Sequence, residues 1–241
     1  MKTKIFLSIS AVALSGFFIV SSCKKDEEKN VTTAQAMVVA KSDVSSDNAY
    51  NDIFTETEYV MSTLESNKYP TSGTKSASLV GGVTISVTKG AGDSTIFPKE
   101  ITITYSDYAS NSGIKKNGTI KITQSARIRK AGAVRTITLE NFIINDSVQI
   151  QGKKTVTNLG LVDGKPSIKI QLENGKIITP TYFITRNFTR TLTWLEGFAG
   201  LSIFNIWDDV YQFTETASGS TKDGFSYSTT TKTPLNGSFR N

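Results

Sequence analysis

Catalysis by this sequence would have to come from carboxylates. The chain has no histidine and one cysteine, Cys23, in 241 residues. That composition excludes a Ser-His or Cys-His nucleophile pair, an imidazole or multi-thiolate site for zinc, copper or haem, and an internal disulfide. Glu140, Glu173, Glu196, Asp208 and Asp209 could furnish a glycosidase pair, which needs two carboxyl groups about 5 to 10 Å apart. Their positions along the chain bring no two of them together. Asp208-Asp209, followed by Glu215, offers oxygen ligands for calcium, but adjacent strand residues face opposite ways and no Gly-rich loop gathers them. The reading is of no catalytic residue, no metal site and no cofactor.

Binding chemistry has one clearer candidate. Between Asp107 and Glu140 there is no acid, while Lys115, Lys116, Lys121, Arg127, Arg129, Lys130 and Arg135 supply seven positive charges. Lys121, Arg127 and Arg129 share parity, with Ile120, Ile122, Ala126 and Ile128 opposite them. On one strand face they could hold the phosphates of an anionic glycan or lipopolysaccharide, because guanidinium forks match oxyanions. The ordinary alternative is a solvated strand whose lysines discourage edge pairing. Trp194, Trp207, Tyr211 and Phe213 could stack on sugars, although aromatics at strand spacing are usually core. Thr185, Thr189, Thr191 and Thr193 form a threonine row, the default solvent-side residue of a strand.

The amino terminus carries an address. Lys2 and Lys4 precede an apolar run from Ile5 to Val20, short of the roughly 20 residues of a spanning helix and fitting a signal-peptide core. Val20-Ser21-Ser22-Cys23 resembles a bacterial lipobox, which predicts cleavage before Cys23 and acylation of that residue. Removing 22 residues from 241 leaves 219, and loss of Lys2 and Lys4 takes the formal charge from +6 to +4. Several acyl chains on one residue hold a protein to a bilayer durably. Lys24, Lys25, Asp26, Glu27 and Glu28 resemble the export tag of surface lipoproteins of the Bacteroidota. The expected location is therefore the outer membrane, lipid-anchored and facing the exterior, and nucleic acid is not a partner there. Asp93-Ser94-Thr95 and Asp146-Ser147-Val148 fit a short O-glycosylation pattern of exported Bacteroidota proteins, at Ser94 and Ser147.

The elements that must position these residues follow from periodicity. Residues 1–22 read as signal peptide, 23–44 as acylated tether and linker, 45–70 as a helical segment, and 75–241 as an antiparallel β domain. Ser45-Ser46-Asp47 offers N-caps, and Tyr50, Ile53, Phe54, Thr57, Val60, Met61 and Leu64 recur at three- and four-residue steps. One short amphipathic helix is expected near 47 to 65, with Asp52, Glu56 and Glu58 toward solvent. From about Leu79 onward the chain alternates and turns. Asn117-Gly118, Lys130-Ala131-Gly132, Asn145-Asp146, Asp163-Gly164 and Asp223-Gly224 are turn signals, and Asn174-Gly175 is the sharpest hairpin signal. Turns every 8 to 14 residues leave no room for crossover helices, so the sheet is expected to be antiparallel. From Ile177 to Leu195 the even positions, including Ile184, Arg186, Phe188 and Arg190, form an apolar-aromatic face with two arginines. A break near Arg186 would divide that stretch into two strands. The fold class is mainly β: a sandwich or a partly open barrel with the helix packed on one face or end.

Several segments in order resemble an uncharacterised family of Bacteroidota lipoproteins over residues 75 to 235. They are Phe97-Pro98-Lys99-Glu100-Ile101, Gly118-Thr119-Ile120-Lys121, Asn141-Phe142, Lys153-Lys154-Thr155-Val156, Thr191-Leu192-Thr193-Trp194-Leu195-Glu196-Gly197, Trp207-Asp208-Asp209-Val210-Tyr211 and Thr216-Ala217-Ser218-Gly219. The resemblance implies an all-β fold and a lipidated amino terminus, and brings no activity. Members continue past the segment corresponding to Pro234-Leu235, so it also implies a missing last hairpin and an exposed sheet edge. Taken together, these features predict a non-enzymatic binding or scaffolding lipoprotein, held by outer-membrane lipid through Cys23, with an envelope protein or an anionic glycan as partner. A carboxylate-dependent hydrolase of surface polysaccharide is the alternative.

Overall fold

The computed structural model describes residues 32–66, 77–89, 96–110, 113–197 and 210–238. One helix, α1 (Thr33–Ser66), precedes eleven strands: β1 (Ala77–Val80), β2 (Val83–Lys89), β3 (Lys99–Ala109), β4 (Lys115–Gln124), β5 (Val134–Ile144), β6 (Val148–Val162), β7 (Lys165–Ile178), β8 (Phe183–Glu196), β9 (Val210–Ser220), β10 (Ser226–Thr230) and β11 (Leu235–Ser238). They form one antiparallel meander in chain order from β1 to β10, with β11 also on β9. The sheet does not close. Among the described residues the fold is mainly β as expected, with an open sheet and one helix.

The helix is twice the expected length, because the segment read as a linker is its first third. Thr32 and Gln35 form a capping box: the Gln35 amide donates to Thr32 Oγ1 at 3.2 Å, and the Thr32 amide donates to Gln35 Oε1 at 3.0 Å. This arrangement satisfies two of the amides that a helix start leaves open. No glycine or proline follows before Ser66, so nothing stops the helix at residue 45. Ser46 is mid-helix and donates its hydroxyl to Ser42 O at 2.7 Å, so the expected cap at Ser45-Ser46-Asp47 is corrected. The buried stripe runs through Val39, Ser46, Tyr50, Ile53, Phe54, Thr57, Val60 and Met61. Polar Asp43 and Ser46 interrupt its apolar character, which is why periodicity alone ends it at Tyr50.

Against that stripe pack Val83, Ile85, Val87, Ile101, Ile103, Tyr105, Ile120, Ile122, Ile137, Leu139, Phe142, Ile150, Leu172, Ile177, Ile184 and Phe188 as one apolar cluster. The alternation of burial along β3, β4 and β5 is the two-residue strand period with one face on the core.

Two turn signals become something else. Asn117-Gly118 and Asn174-Gly175 lie inside β4 and β7, at register shifts between Asn117 and Thr119 and between Leu172 and Gly175. Further shifts occur at Tyr105/Tyr108 on β3, Thr138/Phe142 on β5 and Gln151/Lys153 on β6. Asp107, Asn141 and Asn174 hold φ of 50°, 47° and 55° there. These β-bulges sit on neighbouring strands and form a crease across the sheet, since each bulge bends and twists its strand. Asn174 has the positive φ that a type I′ turn needs, but a bulge uses it as readily, and Gly175 does not share it. Gly175 serves a second need: a Cβ there would meet Arg186 O at 2.2 Å and the Tyr50 hydroxyl at 3.1 Å. Hairpin turns do form at Asn145-Asp146, Asp163-Gly164 and Asp223-Gly224. The expected break at Arg186 falls instead at Thr179-Pro180-Thr181-Tyr182, where the Thr179 amide donates to Tyr182 O at 2.9 Å. Pro180 lacks the amide that a continuing strand requires.

Candidate functional site

Two features of β7, β8 and β9 concentrate polar chemistry, one on each face. The inner one begins with parity: Arg186, Phe188 and Arg190 alternate on β8, so both guanidinia point at α1. Arg186, 2% exposed, pairs with Asp43 and donates to Glu215 Oε1 at 2.8 Å and Asp47 Oδ1 at 3.2 Å. Arg190 donates through Nε to Glu215 Oε2 at 2.5 Å and through an Nη atom to Asp47 at 3.1 Å. Both guanidinia lie over the Phe188 ring, at 5.2 and 5.1 Å. Burial pushes the Arg186 pKa down, against the pull of Glu215. At Arg190 burial also works against the charge, but Asp47 and Glu215 together outweigh it and hold the pKa up. Arg186 Nε and the Tyr227 hydroxyl are the buried side-chain polar atoms without a hydrogen bond among the described residues.

The same interface holds two more buried cations, Arg135 and Lys154, and the half-buried Lys116. Arg135, 2% exposed, pairs with Glu58 and donates to Gln124 Oε1 at 2.7 Å. Lys116 pairs with Glu56, which also accepts from the Tyr105 hydroxyl at 3.0 Å. Lys154 lies 4.5 Å from the centre of the Phe54 ring, and burial pushes its pKa down to about 8. Glu56 and Glu58 therefore pair with the sheet while staying part-exposed, a correction to the helix reading: they flank the apolar stripe and reach basic residues on either side. This layer is internal and joins helix to sheet. Its ion pairs do structural work, since the guanidinia of Arg135, Arg186 and Arg190 each meet a carboxylate.

The outer feature is an open hollow of about 550 Å³ over β7, β8, β9 and β10. Its floor is two cross-strand rows. Gln171 pairs with Thr189 and Thr189 with Thr216; Asn187 pairs with Ser218 and Ser218 with Ser228. The Asn174 bulge forms one wall, fixed by its amide donating to Asn187 Oδ1 at 2.7 Å. Glu173 also lines the hollow and is paired with Lys153 at 3.0 Å. The surface is thus one of amides and hydroxyls, with its single carboxylate neutralised. Such a surface offers both donors and acceptors to a hydroxyl-rich ligand.

The sequence-predicted sites fare unevenly. Lys121, Arg127 and Arg129 do not share a strand face: β4 ends at Gln124, and Arg127 and Arg129 lie exposed on the connection to β5. Lys121 pairs with Glu140 at 2.8 Å across the strand pair. Lys115 pairs with Asp146 at 2.8 Å, so acids distant in sequence answer much of the basic window. Glu140 and Glu173, on different strands, are each engaged by a lysine of a neighbouring strand. Glu196 ends β8, exposed. No group of His, Cys, Asp and Glu able to hold a metal occurs among the described residues. Ser147 is exposed on the turn between β5 and β6. Cys23, Lys24, Lys25, Asp26, Glu27, Glu28, Ser94, Trp207, Asp208 and Asp209 lie outside the described residues.

No helix among the described residues is long and apolar enough to cross a membrane. No protein-family model, curated protein or solved structure matches this chain.

Proposed function

We propose that the chain is a lipoprotein of the outer membrane, acylated at Cys23 and facing the exterior, whose sheet is a non-enzymatic binding module for a hydroxyl-rich glycan. The lipobox at Val20-Ser21-Ser22-Cys23 supports the anchor, and the resemblance to Bacteroidota lipoproteins supports the compartment. The hollow carries the binding half of the reading. It presents Gln171, Asn187, Thr189, Ser218 and Ser228 on a rigid sheet, and its only carboxylate is tied to Lys153. A hydrolase would need two carboxyl groups facing one another across a substrate. The hollow has one.

Retention of the protein on immobilised surface polysaccharide from its own host tests the site. The Ser218→Trp variant fills the hollow from an exposed strand position and should lose retention while melting as the parent does. Retention equal to the parent's would refute the hollow as the site. Feeding the host an alkyne-tagged fatty acid tests the anchor, with label expected on the parent chain and absent from Cys23→Ser.

A further inference from the structure

One wall of the hollow is held from behind. Pairing of β6 with β7 shifts between Gln151 and Lys153, and pairing of β7 with β8 shifts between Leu172 and Gly175. Two bulges on neighbouring strands thus lie side by side. Tyr50 reaches them from the helix, 1% exposed, and its hydroxyl donates to Gln151 O at 2.6 Å. Its ring stacks on Phe54, with centroids 5.8 Å apart. Burial raises its pKa, against the pull of the Lys176 backbone amide. A side chain of α1 therefore supplies a hydrogen bond at the place where the register shifts disturb the ladder.

Two glycines let the tyrosine come this close. A Cβ at Gly175 would meet the Tyr50 hydroxyl at 3.1 Å, and one at Gly152 would meet Tyr50 Cε1 at 3.5 Å and Gly175 Cα at 3.3 Å. The two strands and the tyrosine touch with no side chain of β6 or β7 between them at these positions. Asn174 precedes Gly175 directly. It holds φ of 55° and donates its amide to Asn187 Oδ1 at 2.7 Å, and both asparagines line the hollow. The bulge is one short unit with two faces. Its buried glycine rests on Tyr50 inside, and its exposed asparagine forms the wall outside.

We infer that Tyr50 is a positioning residue for the hollow: through Gln151 and Gly175 it sets the place of the Asn174 wall, so that binding outside and helix docking inside are coupled. The inference rests on the reading of the hollow as a glycan site. Without the hydroxyl the crease relaxes and Asn174 loosens from Asn187. Coupling between two sites is reciprocal, so a ligand that fixes the wall also tightens the hold of the helix on the sheet. A tyrosine on the far face of the sheet then governs how well the hollow fits its ligand.

Tyr50→Phe keeps the stacked ring and removes the hydroxyl alone. In the full chain, hydrogen exchange at the Asn174 amide should quicken about three- to tenfold, the effect of one lost hydrogen bond, while amides of β3 and β4 keep their protection. Retention on the surface polysaccharide of the host should weaken by a similar factor. Met61→Ala loosens the same helix away from the crease, and should leave both readings at the parent's values. Added polysaccharide should slow exchange in the helical turn around Tyr50 of the parent. Unchanged exchange at Asn174 in Tyr50→Phe, an equal loss of retention in Met61→Ala, or no slowing in a parent that is retained would each overturn the coupling. A parent that is not retained at all would count against the hollow as the site, and exchange at Asn174 would then decide alone whether Tyr50 holds the wall.

Discussion

The two halves of the helix rest on different ground. From Ile53 to Leu64 the buried stripe meets a bed of Ile85, Ile101, Ile103, Ile120 and Ile122. There the ion pairs of Glu56 and Glu58 lie to either side of the apolar contact. From Val39 to Asp47 the charges enter the stripe itself, and Asp43 and Asp47 meet Arg186 and Arg190 over Phe188. Apolar contact is nondirectional and tolerates sliding, whereas guanidinium forks accept carboxylates only at set angles. The half from Ile53 onward supplies adhesion, and the half up to Asp47 fixes where along the sheet the helix sits.

The largest effect expected from this contrast comes from breaking the inner pairs. Arg186→Met leaves Asp43, Asp47 and Glu215 facing one cation, and should cost about 3 to 5 kcal/mol in urea unfolding. Met61→Ala, on the apolar half, should cost about 2 to 5 kcal/mol through loss of transfer energy and a cavity. If Arg186→Met proved as mild as Lys222→Ala at the surface, the charged half would not be holding the helix.

Lys154 sharpens the contrast through pH. Its folded pKa, pushed down to about 8, lies below the ordinary value of 10.5. Between those values the unfolded chain binds the proton and the folded chain does not, so stability rises with pH across that window. Below about pH 8 the cost of the buried ammonium is fully present. Above pH 10 the sign reverses, because burial holds the Tyr50, Tyr105 and Tyr227 hydroxyls protonated beyond their usual range. Lys154→Met should stabilise the protein at pH 7 and remove the rise between pH 8 and 10, read from urea midpoints at each pH. A rise that survives the substitution would assign it to another group.

The smallest effect belongs to the capping box. Thr32→Ala should cost about 1 kcal/mol. Hydrogen exchange should quicken over the first turns of α1 while core strand amides keep their protection. Uniform acceleration throughout the sheet would mean that the helix start and the core unfold as one unit.

Much of the β architecture can be read from alternation and from Asp-Gly or Asn-Asp turns, as at Asn145-Asp146 between β5 and β6. The paired inward arginines of β8 were also legible, since parity alone puts Arg186 and Arg190 with Ile184 and Phe188. Their partners were not: Asp43 and Glu215 lie 143 and 29 residues away, and no local pattern links them. Asn117-Gly118 and Asn174-Gly175 misled because the dipeptide reports a left-handed residue and not which structure uses it. The Thr32 to Gln35 box was a readable signal that the charged residues behind it obscured. The hollow left no mark in sequence, because Gln171, Asn187 and Ser218 become neighbours only through strand register.

The crease has a further consequence for anyone who edits this chain. Each bulge inserts a residue that its partner strand does not answer, so the tally of inside and outside starts afresh beyond it. On β7 the buried positions pass from even at Leu172 to odd at Gly175 and Ile177, and on β5 from odd at Ile137 and Leu139 to even at Phe142. A strand with a bulge thus carries two reading frames. Flattening the bulge with Asn174 kept would turn one arm of β7 inside out, sending Ile177 to water and Lys176 toward the helix. Deleting Asn174 would leave both arms facing as they do.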